Sequence, residues 1–169
     1  MSDTCKIRMG CLAMLALLPL WSNCDMLPRG STEKNDLSSM RTVTIDIVGR
    51  KSYTAYVADS KDQSGRTIRL GLMNVTEADL PRDRGMIFVF PDDDLRNFWM
   101  RNTIIPLDIA YIRSDGTIVK TYTMEPLNEA GYLSIEPARF ALEVRAGEFV
   151  HWGVKEGDFV NIPAELFGG

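Results

Sequence analysis

Asp108 stands inside an apolar run, Ile104-Ile105-Pro106-Leu107-Asp108-Ile109-Ala110. A carboxylate withdrawn from water is costly unless a cation, N–H donors or a wet cleft compensates it. Just before it come Trp99, Met100, Asn102 and Thr103. An aromatic plate, a soft apolar filler, two hydrogen-bonding side chains and one acid are what a small binding cleft uses. On an extended chain Ile105, Leu107, Ile109 and Tyr111 share one face, while Ile104, Pro106, Asp108 and Ala110 share the other. Two readings follow. With both faces covered, Asp108 is a buried strut paired with Arg101, Arg69 or a backbone turn. With the polar face wet, Asp108 borders a cleft with Trp99, Met100 and Asn102, and this is the expectation we carry forward. Met100 would otherwise be core filler, and Asn102-Thr103 could organise a β-bulge.

Glu143 is the second acid of interest. Ala141, Glu143 and Arg145 alternate with Phe140, Leu142 and Val144. The plain reading is a solvated or Arg-paired face. If Glu143 and Asp108 converge, the pair could perform acid–base chemistry or hold a cation. Asp92-Asp93-Asp94 lacks the alternate spacing of a calcium loop and reads as a solvated turn. His151 is the only histidine, and no Gly-x-Ser-x-Gly elbow, phosphate loop or dinucleotide fingerprint accompanies it. No metal or cofactor is expected.

The 169 residues fit one domain with short appendages. A net charge of -4 argues against nucleic acid as a partner. Lys6 and Arg8 precede an apolar run from Cys11 to Trp21, the pattern of a secretory signal peptide rather than a membrane span. Cys24 follows at once. Ser22-Asn23-Cys24 resembles a bacterial lipobox, although Trp21 and Asn23 depart from its preferred residues. The expected organisation is a signal peptide over 1–23, a lipidated Cys24 with a polar tether over 24–40, and one domain over 41–169. The protein would then sit in the bacterial envelope, held to a membrane by lipid. No Cys lies beyond Cys24, so neither a disulfide nor a thiolate site can serve the domain.

The elements that must position these residues are short strands. Val43, Ile45 and Ile47 alternate with polar neighbours, and Tyr53 to Ala58 returns as a hairpin partner. Ser64 could cap a short helix, and Thr76 to Leu80 a helical turn. Gly85 to Phe90 reads as a central strand closed by Pro91 to Asp94. Residues 98–100 and 104–112 read as strands, Ser114 to Thr117 as a hairpin turn, and 118–124 and 138–144 as strands. Gly147 to Trp152 reads as a helical turn, and 159–162 as the last strand. This predicts a mainly β fold, an antiparallel sandwich or barrel of seven to eight short strands with one or two short helices.

Several of these segments resemble domain-of-unknown-function family 192 (DUF192). They are Gly71-Leu72-Met73, Gly85-Met86-Ile87-Phe88-Val89-Phe90, Phe98-Trp99-Met100-Arg101-Asn102-Thr103-Ile104-Ile105-Pro106-Leu107-Asp108, Asp115-Gly116, Pro137-Ala138-Arg139, Leu142-Glu143 and Gly153 to Asp158. The resemblance spans about residues 42 to 162. Val75 stands where the family commonly has Arg. The resemblance implies a mainly β fold and a site near the Phe98–Asp108 block, but no activity. The expected function is binding of a small ligand, a glycan or an envelope partner in that cleft. The alternatives are an enzyme using Asp108, alone or together with Glu143, on an envelope polymer, and a structural accessory domain.

Overall fold

The computed structural model describes residues 32–60, 62 and 64–167. The leader and Cys24 lie outside the described residues. Among those described, no helix is long and apolar enough to cross a membrane. The described residues form nine strands: β1 (Thr42–Ile47), β2 (Lys51–Asp59), β3 (Arg84–Asp94), β4 (Asn97–Phe98), β5 (Leu107–Ile112), β6 (Ile118–Met124), β7 (Tyr132–Leu133), β8 (Ala138–Arg145) and β9 (Val160–Asn161). Two short helices, α1 (Arg66–Leu70) and α2 (Glu148–Trp152), complete the fold.

Seven strands make one sheet in the order β6-β5-β8-β3-β2-β1-β9. The sheet curls until its edges meet. Thr117 bridges Phe159, Ile118 N donates to Asp158 O, and Val160 N donates to Gly116 O. These contacts cover part of the two edges that an all-β protein must otherwise protect. Strand alternation then divides the apolar residues into two cores. The inner face carries Ile45, Ile47, Tyr53, Ile87, Ala110, Ile112, Phe140, Leu142 and Val144. The outer face carries Met86, Phe88, Leu107, Ile109, Tyr111 and Ala141, covered by Leu72, Val75, Leu80, Met100 and Ile105 from the connections.

The mainly β expectation holds, with four local corrections. First, β2 and β3 are parallel, Thr54 facing Arg84 through Asp59 facing Val89. Parallel neighbours need a crossover, and residues 60–83, with α1, supply it across the outer face. Second, Pro91 to Asp94 does not close β3. The strand continues to Asp94 through a register shift after Val89. The three Asp diverge: Asp92 pairs with Arg96, Asp93 accepts from the N–H and hydroxyl of Ser114, and Asp94 accepts from Leu95 N.

Third, residues 99–106 are not strand. Thr103 N donates to Met100 O at 3.0 Å, and Asn102 has φ +54°. A positive φ at the third position of a four-residue turn is tolerated by Asn better than by most residues. Asn102 therefore makes a turn, not a bulge. Fourth, the polar segment before β1 is docked from Glu33 onward. The Asn35 amide donates to Thr67 O and Gly71 O, both at 3.0 Å. Asn74 Nδ2 donates to Glu33 O at 2.9 Å, and Leu37 and Met40 pack against the outer core.

Candidate functional site: a groove over the outer face

The Gly71-Leu72-Met73 segment turns sharply off α1. Gly71 has φ +47°, and a Cβ there would come within 3.2 Å of the Phe88 ring. The absent side chain lets the crossover lie close on the sheet. On the other side, β4 pairs with β7, Asn97 opposite Leu133 and Phe98 opposite Tyr132. The Phe98 ring meets Phe88, Phe90 and Tyr111 edge-on, at 4.8, 6.3 and 5.8 Å between centroids. Between these two walls runs a groove of about 390 Å³. Ile68, Leu72 and Met73 line one side, Leu95 to Trp99 the other, and Phe88, Phe90, Thr103 and Glu143 also line it.

Glu143 sits on β8, flanked by β5 and β3. Its register neighbours are Met86 on β3 and Ile109 on β5, both fully buried. Glu143 is only 4% exposed. Among the described residues its carboxyl has no hydrogen-bond or ion-pair partner, and burial alone raises its pKa to about 8. The arginines nearby are engaged elsewhere. Arg145 pairs with Glu77. Arg69 pairs with Glu33 at 3.7 Å. Arg96 donates to Ala138 O and to Asp92 and lies 4.2 Å over the Phe90 ring. Glu143 is thus neither solvated nor Arg-paired, against the plain reading.

Asp108 does not border this groove. Its register partner is Val144, so it shares the inner face with Ala110, opposite to Glu143. It is fully buried. One carboxylate oxygen accepts from Thr123 Oγ1 at 2.7 Å, and the other from Phe149 N at 2.9 Å. Phe149 N is a first-turn amide of α2, whose own N-terminal flank, Gly147, offers no side-chain cap. Asp108 caps that helix from a distant strand. It is a strut, but for a helix terminus rather than an arginine. Nearby, Glu148 pairs with Arg82 at 2.9 Å. Among the described residues the buried Tyr53 hydroxyl has no partner, and its pKa is pushed up by burial and then by Glu148 and Asp108.

The remaining candidates divide. Trp99 stands on the groove rim, 48% exposed, with the Arg101 guanidinium 5.2 Å over its ring. Thr103 is buried and lines the groove. Met100 is fully buried in the outer core and does not line it. Asn102 accepts from Asn74 N at 2.8 Å, joining its turn to the crossover. His151 is exposed on α2, with Trp152 edge-on at 4.8 Å. Among the described residues no three His, Cys, Asp or Glu side chains cluster as a metal site. The sequence reading missed the α1 wall, Leu95 to Asn97, and Asn35. Gly71-Leu72-Met73 was the available signal for the first.

Solved structures to which the chain is similar include the following two. One is the 1.22 Å crystal structure of a protein of unknown function from Novosphingobium aromaticivorans. It is 29% identical with TM-score 0.66, over 77% of this chain and 91% of that one. The other is a protein from Sinorhizobium meliloti 1021 described as a proposed transcription regulator. It is 34% identical with TM-score 0.65, over 73% of this chain and 95% of that one. Among curated proteins none matches. The family model that matches residues 43–162 is described as uncharacterised ACR, and with that span the chain belongs to the DUF192 family.

Proposed function

We propose that this protein is an exported, lipid-anchored module that binds a small ligand in the outer-face groove. The observation that carries the binding reading is Glu143. A buried carboxyl with no partner in the described residues lines a groove whose other surfaces are largely apolar and aromatic. Buried polar groups are ordinarily satisfied, and an exception marks a site where a ligand can complete the set. The groove's volume lies within the range of small-molecule pockets. The address rests on the basic-then-apolar leader and on Cys24. The acidic balance of -4 argues against taking over the regulator description of the Sinorhizobium relative. A paired-acid enzyme has lost its basis, because Asp108 and Glu143 occupy opposite faces.

Fragment binding followed by amide NMR tests the groove. Shifts should concentrate at Ile68 to Met73, Leu95 to Trp99 and Glu143. Fragments that perturb only other surfaces would contradict the reading. Membrane fractionation tests the address: Cys24→Ser should release the protein or block its processing, and a soluble, unmodified wild type would refute the anchor.

A further inference from the structure

The groove offers more than an apolar hole, and the inference drawn here rests on its being a binding site. Among the described residues, the arginines that line the groove with Glu143 or follow it on β8 are all engaged elsewhere. From β8 itself Arg145 is held by Glu77. From α1, Arg69 is held by Glu33. From the segment before β4, Arg96 is held by Asp92 and by Ala138 O. β3 presents Met86 and Phe88, and β5 presents Ile109 and Tyr111. The Tyr111 hydroxyl is spent on Tyr132 O at 2.5 Å. Two arginines line the groove with Glu143 and a third lies two residues along β8, and each is paired elsewhere. Aromatic rings of Phe88, Phe98 and Trp99 line the same groove, and such faces attract a cation as hydrocarbon walls do not.

We propose that the ligand of this groove carries a protonated amine, which sits on the Glu143 carboxylate while its apolar body lies along Ile68, Leu72, Phe88 and Phe98. The proton balance of this step is distinctive. Near neutral pH, burial holds Glu143 mostly protonated, since its pKa stands at about 8. An ammonium ion therefore binds with release of the carboxyl proton to solvent, leaving a carboxylate–ammonium pair. A neutral ligand would instead accept a hydrogen bond from the protonated acid, and no proton would leave. Giving up that proton costs little against an ion pair formed out of water beside aromatic faces.

Calorimetry on the full-length chain in a nonionic detergent, with the detergent blank subtracted, separates these cases. The probes are benzylammonium and benzyl alcohol, near-identical in shape. Benzylammonium should bind at least about tenfold more tightly, with about one proton released per ligand near pH 7, read from buffers of different ionisation heat. Its affinity should rise about tenfold per pH unit below the Glu143 pKa and level off above it. Glu143→Gln should erase the preference for the ammonium while keeping the alcohol. Nα-acetyl-lysine methylamide carries the same ammonium on a peptide. Tighter binding of that probe than of benzylammonium assigns the amine to a lysine side chain, and weaker binding to a free small amine. Equal or tighter binding of benzyl alcohol, or no proton release, overturns the inference and leaves the groove standing as a site. Failure of every probe to bind refutes the groove as well. If Glu143→Gln fails to fold, the wild-type proton count and pH profile still decide.

Discussion

Asp108 and Glu143 sit on neighbouring strands, one register step apart, and have opposite fates. Glu143 faces Ile109 across the β5–β8 ladder, and Asp108 faces Val144. That single step sends them to different faces of the sheet. On the inner face Asp108 finds the Thr123 hydroxyl and the Phe149 amide, and its charge holds α2 in place. On the outer face Glu143 finds methionine, isoleucine and a groove. Burial is nearly the same for both. What differs is satisfaction. A buried carboxylate with donors is architecture, and one without them is stored reactivity toward a ligand.

The largest expected effect follows from removing the satisfied acid. Asp108→Ala strands a buried amide and hydroxyl and leaves a small void, and should lower stability by about 3 kcal/mol in urea unfolding. A loss below about 1 kcal/mol would make Asp108 dispensable and erase the contrast.

Removing the unsatisfied acid should act in the other direction. The folded-state pKa of Glu143 is raised from 4.5 to about 8, so the folded protein holds this proton longer than the unfolded chain. Its contribution is therefore favourable at low pH, declines as pH climbs from about 4.5, and is fully lost above about 8. Glu143→Gln should be more stable than wild type at pH 9 and closely matched at pH 4, the difference opening between about pH 4.5 and 8. A variant less stable than wild type at pH 9 would reveal a partner for the carboxylate.

Two smaller effects sharpen the groove itself. Asn35→Ala loses both bonds to the carbonyls of Thr67 and Gly71. It should cost about 1–2 kcal/mol in thermal unfolding and weaken groove binding by loosening the α1 wall. Unchanged binding would free the wall from the docked strap. Trp99→Ala, at a half-exposed rim position, should change stability by less than about 0.5 kcal/mol while weakening benzylammonium. A large stability loss there would make Trp99 a core residue rather than a rim.

Much of this contrast was legible in the chain. Alternation separated Asp108 from Leu107 and Ile109, and Glu143 from Leu142 and Val144, and both divisions hold in the barrel. What alternation cannot supply is which face of β8 meets which face of β5. That depends on register between strands separated by about thirty residues, and it placed the two acids apart. The Phe98–Asp108 block misled for a local reason. Its apolar residues suit a strand, but Asn102 bends the chain at positive φ and Ile105 is buried from a turn. The parallel β2–β3 pair was hidden because its crossover carries only five helical residues, too few for a helical period to show.

The most direct test is the titration of the Glu143 carboxyl carbon by NMR, with Glu143→Gln to assign it. The account predicts a midpoint at about 8, which falls when benzylammonium is added. A midpoint near 4.5, the ordinary value for this side chain, would mean that Glu143 is solvated or paired, and the central distinction between the two acids would be gone.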